Sequence, residues 1–278
     1  MMIADLARDL QLAAFAFENS HDSDIDWVRQ TVRHLVYETC FGDRRRAEHI
    51  ATEMATNLRL RGAPNTTSLV GMHYNIGYAY YRVGDEILAR EHLTKALELA
   101  RRNEVIAAQI QILSALTLLC WSTGEIDECR HWHGELRQFE AHDALVTAGC
   151  DYYISGARLA IQDRRLEEAA SFIERGRSLP QARLDSPRML LLACEIRART
   201  DAGGTACSDA EFTELATFHA RARELGEQDD IALVLVSALI ARGEKVEAEN
   251  LLSDYLFRRR EGVDIHGPLE QIAAQWQA

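Results

Sequence analysis

The sequence has 278 residues, of which 47% are hydrophobic and 27% are charged, and its formal net charge is −12. A chain of this composition can bury a core, which excludes an intrinsically disordered or low-complexity protein. The acidic balance argues against a nucleic-acid-binding protein, because contact with phosphates requires a basic surface. Four prolines, together with long stretches rich in Ala, Leu, Arg and Glu, favour helices over strands.

The sequence also allows a prediction of the cellular location of the chain. No stretch reaches the roughly 18 consecutive apolar residues expected of a membrane span. The first residues lack the basic segment of a secretory signal. The six cysteines form no C-x-x-C pair and mostly sit within apolar helical patterns. We therefore predict a cytoplasmic protein with reduced thiols and no membrane partner.

In chain order, the first predicted element is a helix over residues 3–18, and a series of helix hairpins follows over residues 25–260. The clearest hairpin has Gly77 and Tyr80 before a turn at Gly84-Asp85 and Ala89 and Leu93 after it. We expect Gly77 and Ala89 to let two helices approach closely, while Tyr80 and Leu93 fill the space between helices.

Similar offsets recur about every 40 residues along the chain. An early copy has Glu38 where the pattern calls for an aromatic residue, and a later copy over residues 186–225 carries an insertion at 201–207. Ser186-Pro187 and the pair Ser208 and Glu211 predict helix starts there. A last helix is predicted over residues 268–277. Turns of the other copies are expected at Gly42-Asp43, Gly124-Glu125, Asp163 and Gly243-Glu244.

These small and aromatic residues at fixed offsets resemble the tetratricopeptide repeat (TPR) superfamily. The period near 40, against 34 for the standard repeat, is similar to that of the long repeats in large bacterial transcription activators. The resemblance implies an all-α fold, a right-handed superhelix of about six antiparallel helix hairpins. It also implies a single domain over residues 1–278, with 3–18 and 268–277 as terminal capping helices.

The resemblance further implies a concave face lined by the first helix of each hairpin. Aromatic, arginine and glutamine side chains there would hold a peptide or a small anionic molecule by stacking and hydrogen bonds. The alternative is that several of these aromatic side chains pack between repeats. The predicted partner-binding residues are Tyr74, Tyr78, Tyr81, Arg82, Gln111, Trp121, Arg158 and Gln162.

Candidate chemistry elsewhere is sparse. Cys129 and His133 lie four positions apart on a predicted helix, as two metal ligands can. A third and fourth ligand are not evident, so we predict ordinary helix packing and no metal or other cofactor. The sequence contains no phosphate-binding glycine loop, no H-E-x-x-H and no G-x-S-x-G, so an enzyme is not expected.

The function predicted from these features is a protein–protein interaction module with a regulatory role, which binds a protein or peptide in the concave groove. The alternative is a domain that senses a peptide or small molecule within a larger bacterial transcription activator or another signalling protein. Neither hypothesis involves a nucleic acid as the direct partner of this chain.

Overall fold

The computed structural model describes residues 31, 34, 35, 38, 44–61, 66–83, 85–141, 150–204, 207–221 and 229–260. These residues form eleven α-helices and one short 3-10 helix, with no strand among them, which confirms the all-α prediction. The predicted terminal helices over residues 3–18 and 268–277 lie outside this part of the chain. The chain divides into two compact units, residues 1–119 and 120–278.

The helices follow one another with short connections. The first unit contains α1 (Arg44–Arg61), α2 (Thr66–Val83) and α3 (Glu86–Arg102), and α4 (Ile106–Thr123) begins in it and ends in the second. The second unit continues with α5 (Ile126–Arg137), α6 (Asp151–Gln162), α7 (Leu166–Ser178), the 3-10 helix (Pro180–Arg183), α8 (Asp185–Asp201), α9 (Asp209–Arg221), α10 (Asp229–Ala241) and α11 (Lys245–Arg260).

Each turn within a hairpin contains the same kind of backbone hydrogen bond, and these bonds recur along the chain at the predicted period. In each turn an N–H group donates to the carbonyl oxygen five positions earlier, and these carbonyls lie 39 or 40 positions apart. Such a bond ends a helix when the residue before the donor is left-handed, which glycine adopts most easily. Glycine stands there in three turns, with φ between 77° and 78°, and Arg164 in a fourth, with φ of 60°. The carbonyls belong to Tyr80, Cys120, Ala160, Arg199 and Leu239.

In the first unit, α2 packs closely on α3. A Cβ atom on Gly77 would lie 2.8 Å from Cγ of Leu93 and 3.0 Å from the carbonyl oxygen of Ala89. Ala89 and Leu93 are fully buried. Only glycine therefore fits at position 77 without a shift of the helices, as the sequence predicts. Tyr80, three residues after Gly77, links α2 to α1, because its hydroxyl forms a 2.9 Å hydrogen bond with Oγ1 of Thr52.

Glu38 is a departure from the repeat pattern that the structure accommodates. The side chain is buried, but its carboxylate lies 3.4 Å from Nε2 of His34 and 3.8 Å from Nη1 of Arg46. A carboxylate can be buried where a cationic group such as the Arg46 guanidinium stands beside it. The aromatic residue of the pattern is thus replaced by a paired acid.

In the second unit, each first helix packs on its own second helix and on the next first helix. Helix α6 contacts α7 and α8, and α8 in turn contacts α9 and α10, which packs on α11. The main hydrophobic core is formed by apolar residues of α6, α7, α8 and α10, with Leu215 of α9 added. Three first helices, α6, α8 and α10, consequently form one continuous layer.

Two predicted helix starts have different outcomes. Ser208 and Glu211 form the predicted reciprocal cap, in which the Ser208 N–H donates to the Glu211 carboxylate at 2.8 Å and the Glu211 N–H to Oγ of Ser208 at 3.4 Å. The prediction at Ser186-Pro187 was wrong by two residues, because α8 begins at Asp185. Pro187 is tolerated in the first helical turn, where backbone N–H groups have no intrahelical acceptor.

One helix in the described part of the chain, α4, is long and apolar enough to cross a membrane. Its mean hydropathy is 1.4, and 67% of it is buried inside the protein. Burial of this extent is what the core helix of a soluble protein shows.

Candidate binding faces

The predicted partner-binding residues fall in both compact units. Tyr74, Tyr78, Tyr81 and Arg82 on α2 and Gln111 on α4 belong to the first unit, and Trp121 at the end of α4 with Arg158 and Gln162 on α6 belong to the second. Gln111 is half-buried and Gln162 is exposed. The side chain of Arg82 lies outside the described residues.

The structure brings three of the predicted residues of the first unit into contact. The rings of Tyr74 and Tyr78 are stacked with their centroids 6.0 Å apart, and those of Tyr78 and Tyr81 are 5.9 Å apart and tilted. Spacings of four and three residues place them on one face of α2. Tyr74 is buried, whereas Tyr78 and Tyr81 are half-buried. We call this row of three rings the tyrosine ladder.

A pair of histidines joins α2 to α3. Nδ1 of His73 and Nδ1 of His92 are 3.1 Å apart, so one ring donates a hydrogen bond to the other. Burial lowers the pKa of both residues, that of His73 to about 4. At neutral pH both rings are therefore uncharged. Their hydrogen bond connects α2, the helix that carries the tyrosine ladder, to α3.

In the second unit, Arg158 takes part in a buried cluster of charges. Its Nε and Nη2 both donate to Oδ2 of Asp230 at 2.6 Å, and Nη1 of Arg197 donates to Oδ1 of the same carboxylate at 2.9 Å. The exposed fractions of the side chains are 3% for Arg158, 1% for Asp230 and 16% for Arg197. This ion triad of Arg158, Asp230 and Arg197 connects α6, α10 and α8.

Trp121 lies beside the ion triad. The guanidinium carbon of Arg158 is 5.5 Å from the centre of the Trp121 ring, within the range of a cation–π contact. The indole is buried among Cys120, Cys129 and Leu159. Its Nε1 has no hydrogen-bond partner among the residues that the structure describes. A buried N–H donor without an acceptor costs about 1–3 kcal/mol.

Burial of Tyr74, Trp121 and Arg158 agrees with the alternative that some predicted groove residues pack between helices. Arg158 can be buried because its guanidinium pairs with the carboxylate of Asp230 inside the layer of first helices. Tyr78, Tyr81 and Gln162 keep accessible surface. The binding role of the predicted residues stays a prediction.

Two residues of the ion triad were missed in the sequence. Arg197 lies 39 positions after Arg158, so the repeat offset itself could have identified it. Asp230 gave a weaker signal, the second of two adjacent acids directly before the apolar run that begins at Ile231. Nothing in the sequence indicates that Asp230 pairs with an arginine 72 positions earlier.

Cys129 and His133 are used for packing, as the sequence predicts. The His133 ring stacks on Tyr152 with a centroid distance of 4.8 Å, and its Nδ1 lies 3.0 Å from Oγ of Ser155. Burial lowers the pKa of His133 to about 4 and raises that of the fully buried Cys129 thiol to about 12. Neither group is ionised near neutral pH.

One other group of side chains has the chemistry of metal ligands. The thiol of Cys120 and the carboxylates of Glu125 and Glu128 lie within 4.8 Å of one another at the turn between α4 and α5. Oγ1 of Thr123 donates to Glu125 at 2.9 Å, and the Cys120 thiol donates to Glu128 at 3.6 Å. Hydrogen bonds thus already engage these groups, and three ligands fall short of the four of a closed zinc site.

The two faces have different capacities. The tyrosine ladder offers aromatic surface for another chain, and the ion triad with Trp121 offers hydrogen-bond donors and positive charge. Comparison with known proteins adds no relative, since no protein-family model, no curated protein and no solved structure matches the chain.

Proposed function

We propose that the chain is a TPR-like right-handed superhelix that serves as a protein–protein interaction module with a regulatory role in the cytoplasm. The turn bonds repeated every 39 or 40 positions support the repeat architecture. The layer of first helices in the second unit supports it as well, since neighbour-to-neighbour packing is the rule in helical repeat proteins.

The observation that carries the binding proposal is the tyrosine ladder. Tyrosine is enriched at protein interfaces because it combines a large apolar ring with a polar tip and loses little conformational entropy on binding. Tyr78 and Tyr81 are held in place by ring contacts and still keep accessible surface. A partner segment would therefore meet aromatic side chains that are already ordered.

The charge of the chain supports one class of partner. With a formal net charge of −12, the chain attracts positively charged proteins at long range and repels acidic ones. We propose a partner segment that places apolar side chains on the tyrosine ladder and carries basic residues on either side.

The test begins with a partner captured from source cells and identified, then titrated by calorimetry. Tyr78→Ala should weaken binding by about tenfold or more, as expected for an interface anchor. Tyr78→Phe keeps the ring and should retain most of the affinity. His131→Ala, which removes an exposed ring from α5, is the matched control. Unchanged affinity in folded Tyr78→Ala and Tyr81→Ala variants would move the binding surface away from α2.

A second candidate function is a sensor of a peptide or small molecule within a larger signalling protein. The observation that favours it is the ion triad, which places arginine side chains on successive first helices. A screen of small molecules by melting temperature, without any protein partner, separates the two functions. A ligand that stabilises the isolated chain favours the sensor, whereas stabilisation by the captured protein alone favours the interaction module.

A further inference from the structure

Tyr81 and Trp121 occupy equivalent positions in two successive repeats. Each directly follows the residue whose carbonyl oxygen accepts the turn bond, Tyr80 in one repeat and Cys120 in the next. The Trp121 ring is covered by the residue 37 positions later, Arg158, whose guanidinium carbon lies 5.5 Å from the ring centre. The chain itself therefore supplies the cation that lies on the ring at this position of the later repeat.

The earlier repeat has the ring without this arginine in its pattern. The residue 37 positions after Tyr81 is Leu118, which carries no charge. Tyr81 is half-buried, so part of its ring surface is accessible, whereas Trp121 is only 3% exposed. The contact with Tyr78, at a centroid distance of 5.9 Å and an angle of 54°, holds the Tyr81 ring in a defined orientation. An ordered aromatic face is thus exposed where the next repeat has a covered one.

Arginine is the cation that lies on other aromatic rings of this protein as well. In the second unit, the guanidinium carbon of Arg175 is 5.2 Å from the centre of the Tyr153 ring, and that of Arg242 is 4.3 Å from the centre of the Phe212 ring. The planar and weakly hydrated guanidinium stacks on aromatic faces more readily than an ammonium group does. These contacts favour arginine over lysine as the side chain that fits an exposed ring of this kind.

The charge beside the tyrosine ladder also favours a cation. Residues 82–86, which follow Tyr81 directly, contain one arginine and two acids, Asp85 and Glu86, so their net charge is −1. The formal net charge of the whole chain is −12. A positively charged side chain is therefore attracted to this end of α2 both locally and at long range.

We propose that the partner segment places an arginine side chain on the ring of Tyr81 in a cation–π contact, with the guanidinium within about 6 Å of the ring centre. This inference rests on the proposed function, in which basic residues flank the apolar side chains that meet the tyrosine ladder. Tyr81 is the last ring of the ladder, so the arginine stands at one end of the apolar stretch. The inference specifies the identity and the position of one flanking residue.

The test is a double-mutant cycle between Tyr81 and the arginines of the partner. The probe is a synthetic peptide that covers the binding segment of the identified partner, with each arginine replaced in turn by citrulline, which keeps the shape and removes the charge. One replacement should weaken binding to the unsubstituted chain about three- to tenfold. The same replacement should have no effect on binding to Tyr81→Leu, because the ring is already absent. His131→Ala, as the control, should show the full loss.

A second measurement changes the ring without changing its size. Phenylalanine and its 4-fluoro, 3,5-difluoro and 3,4,5-trifluoro derivatives are placed at position 81, and each variant is titrated with the arginine peptide. Fluorine withdraws electron density from the face of the ring, so affinity should fall stepwise along the series if a cation lies on that face. The citrulline peptide should show no such trend. This series retains its meaning even if Tyr81→Leu does not fold.

Three results would overturn the proposal: a binding segment without arginine, no coupling between Tyr81 and any arginine, and equal affinity along the fluorinated series. If Tyr78→Ala still weakens binding, these results remove the arginine contact and leave the interaction module in place. If folded Tyr78→Ala and Tyr81→Ala variants bind as tightly as the unsubstituted chain, the proposed function of α2 is wrong and the arginine contact is excluded with it.

Discussion

Gly77 is the position at which the packing of α2 on α3 is most sensitive to a single added carbon atom. In Gly77→Ala the new Cβ would lie 2.8 Å from Cγ of Leu93, 2.9 Å from its backbone nitrogen and 3.0 Å from the oxygen of Ala89. Two of these three atoms belong to the backbone of α3 and cannot move by a rotamer change. The whole of α3 must therefore shift away from α2.

The magnitude is a balance of two effects. Alanine is favoured over glycine in a helix by about 1 kcal/mol. Overpacking of a well-packed contact costs about 1–3 kcal/mol, and the upper part of that range applies because backbone atoms are involved. We expect Gly77→Ala to lower the free energy of unfolding by about 1–2 kcal/mol, and the melting temperature by roughly 3–6 °C.

Gly134 is the matched control, because no atom lies within 4 Å of a Cβ built on it in the exposed face of α5. Gly134→Ala should raise the free energy of unfolding by about 0.5–1 kcal/mol. Both variants are measured by thermal and urea denaturation, followed by circular dichroism, against the unsubstituted chain. If Gly77→Ala proves as stable as the unsubstituted chain, the close approach of α2 and α3 is refuted.

Two further predictions concern the second unit. Asp230→Asn removes the negative charge that pairs with the buried Arg158 and should cost about 3–5 kcal/mol in urea denaturation. Asp127→Asn removes an exposed ion pair with Arg130 and should cost less than about 1 kcal/mol. Equal costs would contradict the burial of the triad. The pKa of His133 is about 4 in the folded chain and about 6.5 in the unfolded chain. Between these two pH values the unfolded chain therefore binds a proton that the folded chain does not. The stability that His133 contributes is complete above pH 6.5 and is lost as the pH falls towards 4. The loss should reach about 2–3 kcal/mol, and His133→Phe, which keeps a ring on Tyr152, should show a smaller decrease over that range; an unchanged pH profile would refute the assignment.

The sequence predicted those features that depend on neighbouring residues. The turns at Gly124 and Gly243 followed from the sequence, because a left-handed residue at a helix end is a local requirement that glycine meets. The predicted turn at Gly42-Asp43 lies outside the described residues, and the predicted insertion at 201–207 instead contains a turn of the same kind, at Gly203. The close contact at Gly77 and Ala89 also followed from small residues at fixed offsets. The start of α8 was misplaced because its N-cap residue is Leu184, whose side chain forms no capping hydrogen bond, so no capping residue marks this start in the sequence.

The candidate sites were only partly predictable, because burial depends on residues far away in the sequence. Arg158 and Tyr78 occupy equivalent repeat positions, 80 residues apart. Tyr78 is half-buried against its neighbours on α2, whereas Arg158 is buried by a carboxylate on α10. A repeat pattern identifies the position of a side chain on the helix and does not reveal a partner that a different repeat supplies.

The ion triad joins residues that are far apart in the sequence, and this separation affects the lifetime of the folded second unit. Arg158 and Asp230 are 72 positions apart, whereas each turn bond joins residues five positions apart. Hairpins with local contacts can form early, but the triad requires α6, α8 and α10 to be assembled already. Interactions that are absent from the folding transition state slow unfolding and leave the folding rate unchanged. The triad should therefore lower the unfolding rate, and so lengthen the lifetime of the native state, without raising the folding rate.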